Sequence, residues 1–81
     1  MDRENVREAV RNVVEEMTGR NIRDGDPLIS SGLIDSLAIL KLIGRVETKL
    51  SVTIPLDDLQ PEDFDTIDCA TDTVLRAGRE R

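Results

Sequence analysis

The run Gly32-Leu33-Ile34-Asp35-Ser36-Leu37 sets a serine hydroxyl directly after an aspartate, at the start of a helical pattern. Two chemistries are open to such a hydroxyl: it can attack a substrate, or it can be an attachment point. Attack needs a neighbouring base, because a serine hydroxyl is a weak nucleophile at neutral pH. The chain has no histidine, and its only lysines, Lys41 and Lys49, are not marked by the sequence as activated bases. There is no G-x-S-x-G elbow around Ser36. Ser36 is therefore not read as an enzyme's nucleophile, no catalytic residue is assigned, and the chain is not expected to be an enzyme. With no histidine and a single cysteine the usual zinc sites are excluded, and no metal ligand is assigned.

Attachment asks less of the chain. At the first position of a helix the Ser36 side chain faces solvent. The helix N-terminus supplies free N–H groups and partial positive charge, which stabilise a linked phosphate by about 0.3–1 kcal/mol at an exposed site. That favours the product without making it, so a separate enzyme must perform the transfer. Gly32 lets the preceding backbone turn, Leu33 or Ile34 anchors the loop to the core, and Asp35 caps the helix beside the hydroxyl. Read on its residues alone, the same run is also an ordinary loop-to-helix junction, and both readings stand at this point.

The elements that must hold Ser36 follow from periodicity. Asp2 to Thr18 reads as an amphipathic helix with Val6, Ala9, Val10, Val13, Val14 and Met17 on one stripe, Asp2 as N-cap and Gly19 as the stop. Residues 20–35 read as a long loop that packs through Leu28, Ile29, Leu33 and Ile34, with a turn at Asp24-Gly25-Asp26-Pro27 and one short helical turn starting at Asp26. A loop of this length in a small domain points to function.

Ser36 to about Leu50 reads as the second helix, with Ile39, Leu42, Ile43, Val46 and Leu50 as its core stripe. Leu37 and Leu40 fall on another side, near the gap at Gly44; they form either a docking surface or a patch covered by the neighbouring loop. After an extended link with Val52 and Ile54 as packing residues, a short helix is expected near Pro61, with Phe64 in the core. A last helix spans about Thr66 to Ala77, with Asp65 and Asp68 as a capping signal, Gly78 as the stop, and a frayed tail at 79–81. Cys69 is expected to be a small buried apolar group.

Composition sets the outer limits. Eighty-one residues with 35% charged and 38% apolar side chains suit one small compact domain over 1–81, and the helical segments read above make it all-α, a four-helix bundle of three longer helices and one short one. A net charge of −6 argues against nucleic acid and would steer the chain toward basic protein surfaces. The single cysteine forms no internal disulfide, the charged start Met-Asp-Arg-Glu-Asn has no apolar signal region, and no apolar run reaches membrane-span length. A cytoplasmic monomer without membrane insertion is expected.

The stretch Asp26-Pro27-Leu28-Ile29 … Gly32-Leu33-Ile34-Asp35-Ser36-Leu37 resembles the phosphopantetheine attachment region of acyl and peptidyl carrier proteins, and the order of elements resembles theirs over nearly the whole chain. The resemblance implies a 4′-phosphopantetheine arm on Ser36, donated from coenzyme A by a phosphopantetheinyl transferase, with an acyl or aminoacyl cargo held on the arm's thiol. It implies that Asp35 helps the transferase hold a magnesium ion belonging to the complex. Further implied partners are an adenylate-forming or acyl-loading enzyme and a downstream acyltransferase or condensing enzyme. The fatty-acid type carries acidic residues after Asp-Ser-Leu, whereas this chain has Ala38, Ile39, Leu40 and Lys41. It is more similar to freestanding aminoacyl carriers, including the D-alanyl type, and the run 59–67 is similar to theirs. Leu37, Leu40, Lys41 and Ile54 are the expected partner contacts. The alternatives are a fatty-acid or polyketide carrier and, from another class, a helical adaptor with no prosthetic group.

Overall fold

A valine-rich stripe at i, i+3, i+4 and i+7 winds the first segment into helix α1, Arg3–Thr18, in a computed structural model that describes residues 2–57 and 59–79. Asp2 caps it by accepting the Glu4 N–H. Gly19 ends it at φ 70°, the left-handed conformation that costs glycine least, and returns its N–H to the Glu15 carbonyl. The predicted stripe is the buried face: Val6, Ala9, Val10, Val13 and Val14 are all buried, with Met17 at its edge.

Helix α2 is Ser36–Leu50, with the bounds the sequence implies. Its core stripe of Ile39, Leu42, Ile43 and Val46 is buried, and Leu50 lies partly buried against the same core. Helix α3, Ile67–Arg79, closes the domain. It starts on Thr66, whose hydroxyl accepts the Cys69 N–H at 3.0 Å and whose carbonyl accepts the Ala70 N–H. The expected Asp65–Asp68 cap is therefore not the one used. Gly78 does not stop the helix either: α3 runs on to Arg79, since a glycine inside a helix costs only about 1 kcal/mol. The tail residues 80 and 81 lie outside the described residues.

α1 packs against both α2 and α3. The fourth element is a single 3-10 turn, Pro61–Phe64, which packs on α3 and α2. It is not an α-helix, so among the described residues the fold is three α-helices and one tight turn rather than four helices. Pro61 starts it with the φ a helix needs, while the Asp63 carboxylate accepts the Gln60 N–H at 2.9 Å and the Asp63 N–H donates to the Gln60 carbonyl at 3.0 Å. The turn's purpose in packing is Phe64, which is 1% exposed and plugs the centre of the core. No strand occurs among the described residues, and no helix there is long and apolar enough to cross a membrane.

Two threonines carry the core's polar content. Thr71 and Thr73 are buried, and their hydroxyls donate back to the carbonyls of Ile67 and Cys69, with Thr73 also reaching the Asp63 carbonyl. This local bonding is what permits their burial. Cys69, in contrast, is exposed, against the expectation of a buried thiol. It lies about 200° around the helix from Ile67, outside the stripe of Ile67, Ala70 and Val74.

Candidate functional site

The segment before Ser36 is irregular but fixed. Leu28 is wholly buried and its N–H donates to the Asp65 carbonyl at 2.6 Å. The Ile34 N–H then donates to the Leu28 carbonyl at 2.9 Å, folding 28–34 into a closed loop. Gly32 turns that loop at φ 81°, as its place in the motif implies, and gives its N–H to the Ile29 carbonyl. Ile34 is buried, Leu33 half-buried. The expected helical turn at Asp26 is absent. Asp26 instead closes a turn over 23–26, its carboxylate accepting the Arg23 N–H and its own N–H donating to the Arg23 carbonyl.

Asp65 ties this loop to the far end of the chain. Its carboxylate accepts the N–H of Ile29 at 2.8 Å, the N–H of Ser30 at 2.9 Å and the Ser30 hydroxyl at 2.9 Å. These bonds to the charged form, the Ser30 N–H foremost, hold the carboxyl below the usual carboxylate range. Sequence reasoning assigned Asp65 to helix capping. Nothing local discloses its real partners, which lie 35 and 36 residues away. A second tie runs through Asp24, whose carbonyl accepts the Asp68 N–H and whose carboxylate pairs with Arg7 and Arg11 of α1.

At the end of the braced loop, Asp35 is the N-cap of α2: its Oδ1 accepts the Ala38 N–H at 2.8 Å, and its carbonyl accepts the Ile39 N–H. That leaves Asp35 Oδ2 and the N–H groups of Ser36 and Leu37 without a partner among the described residues. Ser36 itself is exposed. The head of α2 thus offers an accessible hydroxyl, two free N–H donors and a fixed adjacent carboxylate. A phosphodiester on Ser36 Oγ fits there: it meets no steric cover and gains the donors at the helix start.

Beside Ser36 lies a small open groove of about 180 Å³, lined by Ile39, Leu40, Ile43, Leu56, Leu59 and Phe64 among others. Leu37 and Leu40 are 75% and 56% exposed, so the neighbouring loop does not cover them. Lys41 is exposed as well. Ile54 is different: at 3% exposure it belongs to the core, which corrects the expectation that it touches partners and leaves the packing role also expected of it. The extended link pulls Ile54 inward because its N–H donates to the Glu47 carboxylate at 2.8 Å. Leu56, two residues on, is 54% exposed and takes the surface position instead. Its place between Pro55 and Asp57 has no periodicity from which sequence reasoning could have found it. Among the described residues no group of three or more acidic, cysteine or histidine side chains is disposed to hold a metal ion.

Residues 8–68 match the family described as "Phosphopantetheine attachment site". The chain is similar to the D-alanyl carrier protein of Enterococcus faecalis, with 34% identity over 65 residues that cover 76% of this chain and 83% of that one. It is also similar to a D-alanyl carrier protein of Streptococcus suis, with 27% identity over 63 residues, 75% of this chain and 80% of the relative. An exposed serine on a capped helix, held by a loop braced at both ends, lies inside the matched region, and the chain belongs to the phosphopantetheine attachment site family of carrier proteins, whose prosthetic group is 4′-phosphopantetheine.

Proposed function

We propose that this chain is a freestanding aminoacyl carrier, with Ser36 Oγ as the anchor of the arm and D-alanine as the first cargo to consider. The observation that carries the reading is the exposed Ser36 at the head of α2, with unpartnered N–H groups around it and the Asp35 carboxylate fixed beside it. A phosphopantetheinyl transferase joins Ser36 Oγ to the pantetheine phosphate of coenzyme A, releasing the nucleotide portion. Asp35, held by the Ala38 N–H through one oxygen, keeps the other toward the transferase and its magnesium. When bound, the arm supplies a thiol that holds the cargo as a thioester. The chain itself contributes position: a rigid helix head, an exposed approach through Leu37, Leu40 and Lys41, and no catalytic group of its own.

The cargo reading rests on three supports. The relatives are carriers named for D-alanine, at up to 34% identity among those cited. The groove beside Ser36 is small and open, about 180 Å³, and supplies no enclosed tunnel in which a long acyl chain would be buried. The residues after Ser36 lack the acidic character of the fatty-acid type. The 81 residues act as one carrier domain, a monomer in the cytoplasm, where the coenzyme A donor is made, and partners visit it briefly through small interfaces.

Intact mass tests the proposal. Coexpression with a broad-range transferase adds the phosphopantetheine mass, and Ser36→Ala abolishes the addition while the fold is kept. The holo-protein is then offered D-alanine and other amino acids with adenylate-forming enzymes, and malonyl groups with a malonyl transferase. Aminoacyl thioester formation supports the reading; loading by malonyl transfer alone overturns the cargo assignment, and a wild-type chain that takes no arm overturns the carrier assignment in favour of an adaptor.

A further inference from the structure

The cations carried by α1 and those carried by α2 have different surroundings. Those of α1 are neutralised inside the molecule: Arg3 pairs with Asp72, Arg7 with Glu4 and with Asp24 and Asp68, and Arg11 with Asp24. Those of α2 are not. Lys41, Arg45 and Lys49 are exposed, and none has an ion-pair partner among the described residues.

Their spacing puts them on one stripe. Positions i, i+4 and i+8 stack along a helix face, so three like charges lie one above another and repel. The carboxylate of α2 does not relieve them, because Glu47 is turned away to accept the Ile54 N–H. From α1, Glu16 reaches the rim of the shallow groove that Lys41, Arg45 and Lys49 line, without forming an ion pair. No ion pair among the described residues uses any of the three. The stripe also continues the apolar approach to the arm: Leu37 and Leu40 stand near Ser36, and the cations then run from Lys41 to Lys49 down the helix for about 12 Å at 1.5 Å per residue.

We infer that α2 docks on a partner surface that is apolar where the arm enters and acidic beyond it, and that this partner is the enzyme that loads the arm. This inference rests on the carrier reading given above. It reverses the expectation drawn from net charge. A total of −6 suggests basic partners, but docking is decided by the local face, and α2 sets three cations against one diverted carboxylate. An extended polyanion such as nucleic acid or an anionic bilayer meets the field of the whole acidic chain and is repelled. A protein with a local acidic patch meets the stripe alone, within a screening length of about 8 Å at physiological salt.

The test uses the holo-protein and the adenylate-forming enzyme that charges it. Arm addition and loading of the wild type are measured first, so that failure of the carrier reading is seen separately. K41E/R45E is then compared with R20E/R23E, which changes the net charge equally on a different surface. Far-UV circular dichroism checks that both fold, and K41A/R45A stands in if the reversal does not. The inference expects kcat/KM for loading to fall about tenfold or more for K41E/R45E, chiefly through KM, and to change less than twofold for R20E/R23E. It also expects added salt to slow loading of the wild type and not of K41E/R45E. Equal behaviour of the two reversals, or faster loading by K41E/R45E, overturns the inference and leaves the carrier reading intact. So does sedimentation of the wild type with phosphatidylglycerol-containing vesicles that K41E/R45E abolishes while loading is unchanged, which would assign the stripe to a lipid surface.

Discussion

Replacing Asp65 separates the loop brace from the rest of the fold. Its carboxylate accepts three hydrogen bonds from Ile29 and Ser30, two of them on the same oxygen, Oδ1. Asp65→Asn keeps a carbonyl oxygen for the two backbone N–H groups and loses the acceptor of the Ser30 hydroxyl, so about 1 kcal/mol is expected. Asp65→Ala removes all three acceptors. Each bond is worth about 1 kcal/mol net, and because the three share one carboxylate they are not additive, so the loss is about 2 kcal/mol.

A domain of this size has total stability of about 4–12 kcal/mol, so the change is large enough to read. With one Phe and no Trp or Tyr there is no useful intrinsic fluorescence, and urea unfolding followed by far-UV circular dichroism is the assay. At a slope of about 1–2 kcal/mol/M, the Ala variant loses roughly 1–2 M in midpoint and the Asn variant about half of that. The pH dependence has a definite sign. The folded pKa of Asp65 lies below its ordinary 3.8, so its stabilisation is complete above that value and is lost as pH falls through the lowered one. The gap between wild type and Ala variant therefore closes only in strong acid. An Ala midpoint within about 0.3 M of the wild type, or a gap that persists unchanged in acid, refutes the reasoning.

Further outcomes follow from single side chains. Asp35→Ala deletes the cap on the Ala38 N–H and costs about 1 kcal/mol in a thermal or urea melt; arm addition followed by mass slows in the same variant, whereas Asp2→Ala, at the start of α1, leaves the arm-addition rate unchanged. Phe64→Ala empties the centre of the core and costs about 3–5 kcal/mol, enough to leave much of the chain without helical circular dichroism near its growth temperature. Cys69, being exposed, reacts with a thiol reagent in the native Ser36→Ala protein as fast as in urea; protection in the native state would restore the buried assignment.

What the sequence disclosed and what it hid divide along the range of the interactions. α1 and α2 were legible to within about a residue because each has an unbroken apolar stripe and a cap within reach of its own first turn, Asp2 and Asp35. Ser36 at the head of α2 followed directly. α3 was legible in its stripe but not at its ends: Thr66 competes with Asp65 for the cap, and Gly78 is tolerated where a stop was read. Cys69 was misplaced by reading the residue type before its angle on the wheel, which already pointed outward. Asp65 was out of reach of any local pattern, since its partners are set by how the loop returns to the third helix. The exposure of Leu37 and Leu40 was left between two outcomes, because only the path of the 20–35 loop decides it.

Both long helices leave by the same device. Glu15 accepts the Ile22 N–H and Glu47 the Ile54 N–H, each at 2.8 Å and each across seven residues. Because the glutamate, the left-handed residue that follows the helix and the anchored amide form a closed span, one added or deleted residue over 19–22 or 51–54 moves the amide beyond the carboxylate's reach. Length variation among relatives of this chain should therefore avoid both spans, and a graft of a tag or linker into the first loop has its earliest safe position only after Ile22.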